Sequence, residues 1–143
     1  MSQTMVLLQE GRRRELEQAL FYRFLSGDAD RAGDAVAAER LNELLADEQH
    51  HVSRLTARIL ELGGKPEGAG TAPRAVPALE AWEGEARRRE EDEAAWYEHA
   101  LRCVEDPQTR TVLREILDSE RHHRQGLAGK WMPAGPTTPK EGM

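Results

Sequence analysis

The sequence holds a single cysteine, Cys103, among 143 residues, which rules out an internal disulfide and any Cys-x-x-Cys metal ribbon. Cys103 reads as a small, half-buried helix residue. Aromatic residues are scarce, at 5% of the chain, while Ala, Leu, Glu and Arg dominate, a balance that favours long helices over a sheet. Positive charge is also in deficit. The net charge of -6 argues against a nucleic-acid partner. Long apolar runs are absent near the start: Met5-Val6-Leu7-Leu8 is all that precedes the Arg12-Arg13-Arg14 cluster, so neither a signal peptide nor a membrane anchor is expected. The cytoplasm is the expected compartment.

What the chain does have is a repeated spelling. Leu44-Leu45-Ala46-Asp47-Glu48-Gln49-His50-His51 and Ile116-Leu117-Asp118-Ser119-Glu120-Arg121-His122-His123 each end an apolar run with Glu-x-x-His, and a Leu follows four residues after the last His. With 19 Glu and five His, about one Glu-x-x-His is expected by chance, so a lone copy would say little. Two copies in matching frames say more. Residues three apart share one helix face, so each motif is a two-pronged ligand. Both sit on the apolar seam, at the seven-residue spacing Leu41, Glu48, Leu55, Leu62 and again Leu113, Glu120, Leu127. A carboxylate on a core seam costs several kcal/mol unless it is paired, so positive charge must stand opposite.

Capping and breaking residues predict the elements. Helix A starts near Ser2 or Thr4 and runs to Leu25, broken by Ser26-Gly27-Asp28. Helix B starts between Asp30 and Asp34 and stops at Leu62, before Gly63-Gly64 and Pro66. The Gly- and Pro-rich segment Gly63 to Val76 is then a crossing loop, long enough at 3.3 Å per residue to span about 45 Å. Helix C opens at Pro77 and reaches Glu105; Asp106-Pro107 opens helix D, which runs to Gly126 or Gly129. Residues 1–130 are therefore expected to form one bundle, and 131–143, with three prolines, a loose tail.

The halves repeat each other. Glu15-Leu-Glu-Gln-Ala19-Leu-Phe21-Tyr22 matches Glu90-Glu-Asp-Glu-Ala94-Ala-Trp96-Tyr97 at an offset of 75 residues, and the Glu-x-x-His motifs match at 72. The expected fold is all-α: a four-helix bundle with a long B–C crossover and an internal pseudo-two-fold duplication. Glu15 and Glu90 add one inward carboxylate each to Glu48, His51, Glu120 and His123. Four carboxylates carry the charge that two divalent cations cancel. Oxygen-rich donors with one imidazole per ion and no thiolate favour iron or manganese over structural zinc.

This pattern resembles the ferritin-like di-iron carboxylate superfamily, especially rubrerythrin and bacterioferritin, over Leu8 to Leu127. The resemblance implies Glu15, Glu48, His51, Glu90, Glu120 and His123 as metal ligands, Glu93 as an additional one, and Tyr22 and Tyr97 as tyrosines that steer a ligand carboxylate. It implies two iron ions, with manganese able to replace them, and no haem, because Gln49 stands where bacterioferritin presents a haem-ligating methionine. No rubredoxin-like cysteine domain is present, so an external protein would donate electrons. The implied activity is reduction of hydrogen peroxide or dioxygen; ferroxidase or iron storage, and oxygenation of an organic substrate, are the alternatives. His50, His99 and His122 are expected outside the ligand set, and Arg12-Arg13-Arg14 and Arg87-Arg88-Arg89 are expected as solvated faces. Ala- and Leu-rich faces favour a homodimer or higher homo-oligomer, with exchange of helix pairs across the 63–76 loop allowed.

Overall fold

Four helices carry the chain: α1 Gln3–Ala32, α2 Ala35–Glu61, α3 Trp82–Cys103 and α4 Pro107–Trp131, with one 3-10 turn at Leu79–Ala81. This computed structural model describes residues 2–68 and 75–131, and no strand occurs among them. The expected all-α bundle is what the chain forms, as two helical hairpins, α1 with α2 and α3 with α4, joined by a long crossing connection. No described helix is long and apolar enough to cross a membrane.

Helix ends follow local chemistry where it is strong. Ser2 accepts a hydrogen bond from the Met5 N–H at 3.1 Å and opens α1. Asp34 does the same for α2 through Ala37, at 3.1 Å. Asp106 caps α4 by accepting from the Thr109 N–H at 3.0 Å, with Pro107 as the first helical residue. Gly33 and Gly63, at φ 72° and 85°, close α1 and α2 in the left-handed conformation.

Four boundaries depart from expectation. The break at Ser26-Gly27-Asp28 does not occur; α1 continues to Ala32 because Leu25 and Ala29 are fully buried and the Ser26 hydroxyl donates to Asn42 Oδ1 of α2 at 2.6 Å. Packing along that turn outweighs the low helix propensity of Gly27. Helix α3 begins at Trp82 and not at Pro77: Ala78 is extended, and the chain turns into the helix once Trp82 is buried beside Phe21 and Tyr22. It ends at Cys103, two residues before Glu105, where the Arg110 guanidinium donates to the carbonyls of Leu101 and Val104. Helix α4 passes through both Gly126 and Gly129 to Trp131. Residues 132–143 of the expected tail, and 69–74 of the expected crossing loop, lie outside the described residues.

The core comes in two blocks. Leu7, Leu8, Leu55, Ile59, Leu101, Leu113 and Ile116 form one, and Phe21, Tyr22, Leu25, Leu41, Leu44, Trp82 and Leu127 the other. On every helix the two blocks are separated in sequence by buried polar residues: Glu15 on α1, Glu48 and His51 on α2, Glu90 on α3, Glu120 and His123 on α4. The bundle is greasy at both ends and charged at its waist. Leu55 is fully buried in the first block. Leu55→Ala is expected to lower the unfolding free energy by about 2–5 kcal/mol, read from urea titration by circular dichroism; a change below 1 kcal/mol would contradict the packing described.

Candidate metal centre

The six side chains on the helical seams converge. Their ligand atoms fall into two groups, Glu15, Glu48, His51 and Glu120, then Glu48, Glu90, Glu120 and His123, and within each group all lie within 4.8 Å of one another. Glu48 and Glu120 belong to both. His51 Nδ1 is 3.2 Å from Glu15 Oε1 and 3.1 Å from Glu48 Oε1. His123 Nδ1 is 3.3 Å from Glu120 Oε1 and 3.5 Å from Glu90 Oε1. The two imidazoles face each other at 6.3 Å between ring centres.

All four carboxylates are fully buried. Each half of the bundle orients the ligand of the other: the Tyr97 hydroxyl donates to Glu15 Oε2 at 2.6 Å, and the Tyr22 hydroxyl to Glu90 Oε2 at 2.5 Å. Both tyrosines stand against a carboxylate. His50, His99 and His122 are exposed and join neither group.

Glu93 sits apart from both groups. It is buried and forms a two-point pair with the Arg14 guanidinium, at 3.1 and 3.2 Å. The arginine clusters are accordingly more than solvated faces. Arg14 also lies over the Trp96 ring, Arg12 donates to Thr56 and to the carbonyls of Glu67 and Gly68, and Arg89 lies 4.2 Å over Phe21. Sequence reasoning passed over two further residues. Gln18 donates to Glu90 Oε2 at 3.2 Å; its position, three after Glu15 as Glu93 is three after Glu90, was the available signal. Asp47 pairs with His123 Nε2 at 2.9 Å, fixing the ring from its outer nitrogen. Asp47 directly precedes Glu48, and nothing in its spacing marks it out.

Without a cation the waist is poorly balanced. Burial first, then repulsion from the other carboxylates, pushes Glu48 and Glu120 well above the usual carboxylate range. Burial also opposes ionisation of Glu15, but hydrogen bonds from His51 and Tyr97 and the charge of His51 outweigh it and hold that carboxyl low. Glu93 is raised to about 7 by burial, against the pull of Arg14. For His123, burial disfavours the imidazolium, yet Glu90 and Asp47 carry its pKa upward. Burial keeps Tyr22 and Tyr97 protonated, as donors.

The donor set fits a pair of cations. Glu48 Oε2, Glu90 Oε1, both oxygens of Glu120 and His123 Nδ1 are buried with no hydrogen-bond partner among the described residues. Leaving such atoms unmet costs about 1–3 kcal/mol each, and more when charged. These same atoms line the two groups. Two ions between them would meet every one, with two carboxylates shared.

Comparison with known proteins agrees with this geometry. The rubrerythrin family model matches residues 7–129. A bacterioferritin from Desulfovibrio desulfuricans, whose structure describes "the diiron site in different catalytic states", superposes with a TM-score of 0.84 at 20% identity, covering 89% of this chain and 77% of that one. Mycobacterium tuberculosis bacterioferritin BfrA gives 0.83 at 23% identity, covering 91% and 84%. At these identities the two structures speak for the fold alone. No curated protein sequence matches the chain.

The proton balance has a measurable consequence. Raised folded-state pKa values at Glu48, Glu120, Glu93 and His123 mean that the native state binds more protons than the unfolded chain. Stability from such groups is full below their unfolded values and is lost as pH rises through the folded ones. Glu15 acts oppositely, but its window lies below the ordinary carboxylate value. The metal-free protein should therefore melt at a higher temperature at pH 6 than at pH 8, and saturation with ferrous or manganous ions should weaken or reverse that slope. A metal-free melting temperature that rises between pH 6 and 8 would contradict the account.

Proposed function

We propose, for a chain that belongs to the rubrerythrin family, a non-haem di-iron oxidoreductase that reduces hydrogen peroxide or dioxygen with electrons from an external donor protein. The observation that carries this reading is the sharing of Glu48 and Glu120 between two four-residue groups. In it, Glu15 and His51 would hold one ion, Glu90 and His123 the other, and Glu48 and Glu120 would serve both. Manganese fits the same donors, and one or both positions could take it. Haem has no part in the reading, since exposed Gln49 offers no sulfur ligand.

Bound there, two ferrous ions together supply the electron pair that cleaves an O–O bond. The chain does the rest. Tyr22 and Gln18 fix one oxygen of Glu90 and leave the other without a hydrogen-bond partner, and Tyr97 fixes one oxygen of Glu15 while the other faces His51. Asp47 accepts from His123 Nε2, which leaves Nδ1 unprotonated and aimed inward. Burial opposes ionisation of Glu48 and Glu120, so binding a cation there would be coupled to loss of protons from them. The apolar blocks above and below keep bulk water out. Glu93, fixed on Arg14, is left outside the ligand set of this proposal until that pair opens.

A ferroxidase or iron-storage role is the second reading, favoured by the likeness in fold to two bacterioferritins. Either role suits a homodimer or larger homo-oligomer. Anaerobic ferrous protein mixed with peroxide or with dioxygen separates them: faster oxidation by peroxide and two irons per chain support the peroxidase, whereas a retained mineral core supports storage. Glu48→Ala and Glu120→Ala should each lose both irons, and Glu15→Ala only one, by elemental analysis, with helicity kept. Normal iron content in either bridging variant would refute the ligand assignment.

A further inference from the structure

Phe21-Tyr22 and Trp96-Tyr97 occupy matching places in the two halves. In each pair the rings meet edge-on, at 5.3 and 4.9 Å, and each tyrosine donates to a carboxylate of the waist. Each outer ring also lies under an arginine of the other half, Arg89 over Phe21 and Arg14 over Trp96. Packing and the cation contact are thus served by a phenyl ring. What tryptophan adds at its position is an N–H and an oxidisable indole.

The seat of that indole is built. Its N–H donates to Glu10 Oε2 at 3.0 Å. Gly11, inside α1, faces it, and a β-carbon there would come within 3.2 Å of the ring; a glycine is unfavourable in a helix interior, so the space has a use. Phe21 is buried, whereas Trp96 is half-buried and reaches the surface. From there, contact is continuous inward: Trp96 to Tyr97, Tyr97 to Glu15 Oε2.

We propose that Trp96 and Tyr97 form a relay through which single electrons pass from a surface-bound one-electron donor protein to the buried site. This rests on the di-iron reading above. Trp96 gives one electron inward, by way of the Tyr97 ring, to the site after hydrogen peroxide has oxidised it. Because Arg14 disfavours a cationic indole, the N–H proton moves to Glu10 Oε2 as the electron leaves, and a neutral indolyl radical remains. The donor then reduces that radical, and Glu10 returns the proton. One electron has moved from donor to site, and the relay is unchanged. Two such turns match the demand of the reaction H2O2 + 2H+ + 2e- → 2H2O.

The test uses iron-loaded full-length protein, photoreduced flavodoxin as the donor, and the variants Trp96→Phe and Glu10→Gln. Trp96→Phe, which restores the phenyl of the matching half, should bind two irons per chain and melt as the wild type does. With flavodoxin as donor, its reduction of hydrogen peroxide should be about tenfold or more slower. Glu10→Gln, which keeps the indole but removes the proton acceptor, should also slow reduction. Rapid-freeze electron paramagnetic resonance of the wild type with excess peroxide and no donor should show a tryptophan radical that is missing in Trp96→Phe. Equal reduction rates in wild type and Trp96→Phe, or a radical unaltered by that substitution, would overturn the relay while leaving the di-iron site intact. Wild-type protein that retains no iron would instead overturn the site reading, and the relay with it.

Discussion

Four glutamates without solvent contact, gathered at the middle of an apolar bundle, are the constraint that the rest of the molecule serves. An ionised carboxylate taken out of water costs several kcal/mol even after relaxation, and like charges near one another add to it. The fold answers in two ways. Burial and mutual repulsion push Glu48 and Glu120, the pair common to both groups, toward the protonated form, while hydrogen bonds favour the ionised form of Glu15. Cations would neutralise the carboxylates more completely, because they would also meet the oxygens that no protein donor reaches. The chain thus maintains a buried acidic waist that protons relieve in part and a bound ion would relieve more fully.

The bundle geometry follows from that need. Four helices each contribute one stretch of the waist, with an apolar block on either side, so these side chains are held on rigid elements and not on loops. Duplication makes the arrangement reciprocal, for each half hydrogen-bonds the single glutamate of the other through a tyrosine. The reciprocity is incomplete in an instructive way. Gln18 faces Glu90, but its counterpart Glu93 turns to Arg14; Phe21 has Trp96 as its counterpart. Two positions built from one repeat are therefore electrostatically distinct.

Much of this was legible in the sequence. The six convergent side chains could be found because carboxylates on an apolar seam are costly, and repetition at matching spacing separates design from chance. The four helices and the hairpin pairing followed from strong caps at Ser2, Asp34 and Asp106 and from glycines at the turns. Boundaries set by distant packing were not legible: the Ser26 contact to Asn42 and the burial of Trp82 override local signals. The pairing of Arg14 with Glu93 was hidden for the same reason. In sequence both residues belong to charge runs that look solvated, and only the crossing of α1 against α3 brings them together.

The most direct test of the central claim is a crystal of iron-loaded protein, measured at the iron absorption edge. Anomalous difference maps should show two peaks inside the bundle, one beside Glu15 and His51, the other beside Glu90 and His123, with Glu48 and Glu120 reaching both. An interior without anomalous signal, the four carboxylates hydrogen-bonded to one another as neutral acids, would contradict it.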